Sequence, residues 1–278
     1  MMWETRSKWM LYASLATAGF ILLQMTFFSL HLLFGIRISF NVFKVCFELF
    51  RVLRTPWVCD IFHMLVLYTF TACFWVIGRQ TIVSIRSNKR LLACQDEQLT
   101  QTFTNQFQLR QHELTVIHHT APVALTLGVI KPRIVVSTAL LRMLDPKELE
   151  AVIEHERFHL HHRDPLAIFL LGMLSVSMWY VPLFRWVLEK YKIIIEIMAD
   201  QFAVSTLCNR ADLGSALLKM LKRGQAPHPL VSYASFAETS INLRIMHILE
   251  PQTQLSLKMP IIRTMISIVA LLILVTFT

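Results

Sequence analysis

Charge is scarce in this chain. Of its 278 residues 16% are Asp, Glu, Lys or Arg and 55% are hydrophobic, where a soluble domain carries about a quarter charged. The shortage argues against an ordinary soluble domain and for an integral membrane protein. Acidic residues are the rarer sign, leaving a net charge of +9. Lys and Arg nevertheless flank apolar segments rather than lining one polar face, so direct nucleic-acid binding is not expected. Cysteine is sparse and unpaired: Cys46, Cys59, Cys73, Cys94 and Cys208 never form a CxxC, which leaves no thiolate zinc site and no disulfide framework. Internal repeats and low-complexity tracts are absent, and so is an S-x-x-K serine acylation motif.

Long apolar runs are what the chain has instead. Residues 9–35 exceed the 20 or so apolar residues that cross a bilayer, and follow Arg6 and Lys8 without a small-residue cleavage site, so they read as a permanent anchor. Residues 57–78 form a second span and 261–278 a third. Between the first two, the basic, amphipathic segment 36–56 is expected to lie in the interface. This predicts a mainly α membrane protein with three transmembrane helices. Its organisation is an N-terminal membrane region over 1–78, a polar α+β domain over 79–258 and a C-terminal span over 259–278. Arg6, Lys8, Arg79, Arg86, Lys89 and Arg90 flank the spans on the side of that domain, against Arg37, Lys44, Arg51 and Arg54 on the other. The bias favours a cytoplasmic domain.

The polar region holds 153-IEHERFHLHH-162, with four histidines and two glutamates in ten residues. It lies on a helix whose start is signalled by Asp145 at the N-cap, Pro146 at the first turn and Glu148 closing a capping box. A helix over 146–162 follows. His155 and His159, one turn apart on one face, can reach the same metal ion, and Glu156 is placed to take a proton from water activated there. A catalytic zinc ion needs a third protein ligand and an open fourth position. The metzincin continuation fails, since His162 and Pro165 stand where Gly and His would be needed. His162 lies roughly 10 Å along the axis from His155 at 1.5 Å per residue, so it and His161 read as solvated or supporting residues. Glu196, the one carboxylate within the apolar stretch 193-IIIEIMA-199, is the better third ligand, with Asp200 one turn later orienting a histidine.

That choice decides topology. If the apolar run 165–184 crossed the bilayer, the histidines and Glu196 would be about 30 Å apart on opposite sides, whereas zinc ligands all lie about 2 Å from the ion. The run is therefore expected to be a re-entrant hairpin: a helix over 165–178, a turn at 179–182 near Pro182, and a returning helix over 183–207.

The strings 121-APVALTLGVIKPRIVVSTALLRMLDPKELEAVIEHERFHLHHRDPL-166, 179-WYVP-182 and 196-EIMAD-200 together resemble the peptidase unit of the BlaR/MecR-type antirepressor metalloproteases. These are bacterial membrane gluzincins related to HtpX and the CAAX prenyl endopeptidases. The resemblance covers roughly 80–250, and Tyr180 and Val181 replace the family's usual residues at the turn. It implies one Zn2+ per chain held by His155, His159 and Glu196, with Glu156 as general base and Asp200 supporting the site. It further implies that the strand 132–138, with Val135 and Val136, is the edge on which a substrate peptide lies extended. The oxyanion needs a basic or histidine side chain, for which His112, His118, His119, Arg244 and His247 are candidates. The expected protein is a multi-pass zinc endopeptidase of the bacterial plasma membrane. It would cut a protein or peptide substrate, such as a cognate transcriptional repressor, without a penicillin-binding sensor domain. A quality-control protease of membrane proteins, and a receptor or assembly factor without catalysis, are the alternatives.

Overall fold

A computed structural model describes residues 2–34, 56–207, 209–223, 243–248 and 260–276. In chain order the elements are α1 (Met2–Phe34), α2 (Pro56–Ala93), α3 (Glu97–Gln106), β1 (Leu114–Ile117), β2 (Ala124–Leu127), β3 (Arg133–Ser137), α4 (Thr138–Met143) and α5 (Pro146–His162). After these come α6 (Asp164–Ser177), α7 (Pro182–Leu207), α8 (Arg210–Arg223), a helical turn at 243–248, and α9 (Ile261–Thr276). The chain is mainly helical with one small sheet. The interfacial segment expected at 36–56 lies, apart from Pro56, outside the described residues.

Two compact units divide the chain: Met1–Thr81 with Leu170–Tyr191 and Leu257–Thr278, and Ile82–Phe169 with Lys192–Ser256. The first unit is apolar. Trp3–Leu30 of α1 and His63–Leu91, most of α2, are long and apolar enough to cross a membrane. In α9 the apolar stretch Ile261–Ala270 is shorter. Its core joins Ala18, Ile21, Met25 and Phe28 of α1, Val66 of α2, and Leu174, Met178, Val181 and Phe184 around the turn between α6 and α7. Buried hydroxyls there are satisfied locally: Thr69 and Ser177 donate to carbonyls four residues back, each at 2.8 Å. Ser267 of α9 accepts the Leu183 N–H at 2.9 Å and so caps the start of α7.

The second unit is built on α5. Glu148 accepts the Asp145 backbone N–H at 2.9 Å, with Pro146 opening the helix. Leu149, Val152, Ile153 and Leu160 bury one face of α5 with Leu114, Ile134, Val136 and Leu140. Another face, marked by Ala151, packs with Ala203, Leu213, Leu217 and Ile248. Buried Glu148 ties α5 to α8, accepting from Lys219 at 2.7 Å and from Ser215.

The sheet corrects the expected substrate edge. Strand order is β1-β3-β2, with β1 parallel and β2 antiparallel to β3. The strand read as the edge is thus the central one. Val135 faces Thr115 and Leu125, Val136 faces Val116 and Ala124, and both valines are 1% exposed. A strand paired on both sides has no free backbone groups to offer a peptide. The outer edge of β1 is partly covered, since Val116 and Cys94 carbonyls accept the N–H groups of Asp96 and His118. Among the described residues no strand pairs with the outer edge of β2. β2 leads to β3 through Gly128, whose φ of +107° and 2.4 Å clearance from the Lys131 carbonyl to any Cβ require glycine.

Candidate metal centre

Helical periodicity builds the site from two faces. On α5, Ala151, His155 and His159 recur every four residues; on α7, Glu196, Asp200 and Ala203 form a similar stripe. Ala151 and Ala203, each 1% exposed, continue the two stripes into one buried cluster with Leu213, Leu217 and Ile248. The chain reaches this pairing through α6, 14 residues long, and Glu196 lies about as far into α7.

Three side chains converge. His155 Nε2 is 3.2 Å from His159 Nε2 and 3.5 Å from Glu196 Oε2, and His159 Nε2 is 3.6 Å from Glu196 Oε1. Atoms that bind one tetrahedral zinc ion at 2.0–2.1 Å stand about 3.3 Å apart, so the spacing suits one ion. His155, His159 and Glu196 form such a group, with the candidate ligand atoms all within 4.8 Å of one another. The histidine side chains are 7% and 10% exposed, whereas that of Glu196 is 31% exposed, which leaves one side of the cluster accessible.

Each imidazole is held from behind by a carboxylate. Asp200 Oδ1 lies 2.8 Å from His155 Nδ1, and Asp164 Oδ2 lies 2.7 Å from His159 Nδ1. An ionised carboxylate only accepts, so Nδ1 must be the protonated nitrogen in both rings and Nε2 is turned to the shared point. Asp200 was expected in this role and Asp164 was not. Arg163 caps α5 in the left-handed conformation (φ 52°, ψ 40°), and this reversal brings Asp164 back to His159. The sequence signal is faint: an acidic residue just past a helix end, five positions after a candidate ligand.

Electrostatics follow the crowding. Burial and Arg244 pull the His155 pKa down, but Asp200 and Glu196 outweigh them and raise it to about 9. A metal ion entering there displaces a proton. Burial pushes Glu196 and Asp200 upward, yet Arg244 and His155 hold Glu196 well below the usual carboxylate range and lower Asp200 as well.

Glu156, 8% exposed, accepts from Thr126 Oγ at 2.8 Å; the same hydroxyl lies 3.1 Å from the Glu156 carbonyl. Thr126 sits on β2, whose outer edge no strand among the described residues pairs with, and sequence reasoning missed it because nothing local links residues 30 apart. The expected oxyanion candidates scatter. Arg244 clasps Asp200 and Glu196. His247 bonds Gln201 at 2.7 Å, and its buried Nδ1 has no hydrogen-bond partner among the described residues. His118 pairs with Asp96 at 3.1 Å, and His119 turns onto Ala121. His112 holds a positive φ of 76° in the turn before β1. His161 and His162 are exposed, the latter stacked on Phe158.

Comparison with known proteins matches residues 46–248 to the model of the family described as BlaR1 peptidase M56. The chain is similar to the regulatory protein BlaR1 of Bacillus licheniformis, 25% identical over 195 residues that cover 64% of this chain and 32% of the relative. It is also similar to a protease HtpX homolog of Thermoplasma acidophilum, 27% identical over 113 residues covering 38% and 36%. The chain thus spans about a third of the length of the curated relatives it matches.

Proposed function

The chain belongs to the BlaR1 peptidase M56 family, and from that footing we propose that it is a membrane-anchored zinc endopeptidase acting on a protein substrate. The observation that carries this is the convergence of His155, His159 and the two oxygens of Glu196 at 3.2–3.6 Å, with a carboxylate behind each histidine. His155, His159 and Glu196 would hold the ion, and bound zinc supplies Lewis acidity toward a carbonyl and toward water. Glu156 takes the proton of the attacking water and returns it to the leaving amine. Thr126 fixes one oxygen of that carboxylate. A substrate strand adds to the outer edge of β2, which runs beside Glu156 through this contact.

In this reading the membrane region is 1–78, the peptidase domain 79–258 and the last span 259–278, with the peptidase domain in the cytoplasm of a bacterial cell. The α6–α7 hairpin does not cross. The substrate is a cognate transcriptional repressor; the relative's description as a regulatory protein supports a regulatory role. The likeness to an HtpX protease favours a second reading, in which damaged membrane proteins are cut.

Capture with the full-length Glu156→Ala protein in membranes separates these. One enriched repressor supports the first reading, and many membrane proteins support the second. Zinc should stay bound while proteolysis is lost. Undiminished proteolysis in both Glu156→Ala and His155→Ala would refute the peptidase assignment.

A further inference from the structure

Arg244 belongs to the helical turn at 243–248, yet its guanidinium reaches three oxygens of α7. Nε and Nη2 lie 2.8 and 2.7 Å from Asp200 Oδ2 and Oδ1, a parallel fork that fixes the plane of that carboxylate. Nη1 lies 2.9 Å from Glu196 Oε2. The Arg244 side chain is only 12% exposed, so these contacts form largely out of water, where they are strong and directional. Two carboxylates one turn apart on one helix face repel each other, and one permanent cation between them relieves this.

The contact with Glu196 distinguishes its two oxygens. Both oxygens face the histidines, but only Oε2, 3.5 Å from His155 Nε2, is engaged by Arg244; Oε1, 3.6 Å from His159 Nε2, is the one that Arg244 leaves to an ion. A glutamate with both oxygens free can chelate an ion and fill the position that an open catalytic site keeps for water. We propose that Arg244 is a positioning residue that restricts Glu196 to a single ligating oxygen while holding Asp200 against His155 Nδ1. The inference rests on the zinc reading of the site. It also gives the arginine a different task from the oxyanion contact suggested by sequence, because three of its donor directions meet the chain's own carboxylates. Lysine cannot replace it fully, since a single ammonium lacks the fork that spans both acids.

The test is cobalt substitution in the full chain held in nanodiscs, read by visible absorption and by competition with a chelator. Wild type should show the intense bands of four-coordinate cobalt. Arg244→Met should lose roughly 10–100-fold in metal affinity, the range for outer partners of metal ligands, and its bands should weaken as Glu196 chelates. Arg244→Lys keeps charge and length and should recover part of the affinity but not the spectrum; it carries the comparison if Arg244→Met does not fold. Wild-type spectra in the variants would overturn the proposal, even with lowered affinity, because a merely structural loss leaves the ligand set unchanged. Cobalt binding by wild type that His155→Ala does not diminish would overturn the zinc reading itself, and this inference with it.

Discussion

Replacing Asp164 with asparagine removes one charge from behind the candidate metal centre and leaves the shape almost intact. Asp164 is 2% exposed, and its Oδ2 holds His159 Nδ1 at 2.7 Å. With the carboxylate gone, His159 loses the partner that fixes its ring and raises the basicity of Nε2. Loss of such a partner typically weakens metal binding 10–100-fold, which corresponds to about 1.4–2.8 kcal/mol. Asp164 is also the first residue of α6, where a negative charge favours the helix by about 0.3–1 kcal/mol. The metal-free protein should therefore lose little stability while zinc affinity falls by one to two decades. Chelator competition on the full chain, with unfolding of the metal-free form measured in parallel, separates the two effects. Unchanged zinc affinity would refute the role of Asp164. An equal loss in both measurements would mean that it acts on the fold and not on the ligand.

Three further outcomes follow from other contacts. Thr126→Val removes the hydroxyl on Glu156 at nearly constant volume and should lower kcat roughly tenfold, about 1.4 kcal/mol, with KM little changed. Thr126→Ser should restore most of the rate, and a loss confined to KM would contradict the assignment. Ala151→Leu forces bulk into the cluster of Ala203, Leu213 and Leu217, where Ala151 is 1% exposed, and should cost about 1–3 kcal/mol, with zinc content falling; an intact zinc site in a stable variant would count against tight packing there. Lys219, Ser215 and the Asp145 N–H lower the Glu148 pKa against the upward push of burial. Its contribution is therefore present above the unfolded value near 4.5 and lost as pH falls through the lower folded value. The stability gap between wild type and Glu148→Gln should shrink on acidification below that value, and a gap constant with pH would remove Glu148 from the account.

Much of the site was legible because helices make neighbours out of sequence spacing. Asp145, Pro146 and Glu148 announce α5, and four-residue spacing places His155 with His159 and Glu196 with Asp200. The requirement that Glu196 reach the histidines divided the apolar run near Pro182, where α7 begins. Local periodicity determined these things by itself. It said nothing of strand order, because a strand reads the same whether it lies at the edge or in the centre, and packing alone put β3 between β1 and β2. Asp164 depended on a left-handed cap at Arg163, and Thr126 and Arg244 on contacts 30 and 44 residues away in sequence. Such contacts form only when separate elements close on one another. The sequence by itself picked out the groups that could share a metal ion, and the tertiary structure decided which groups hold them in place.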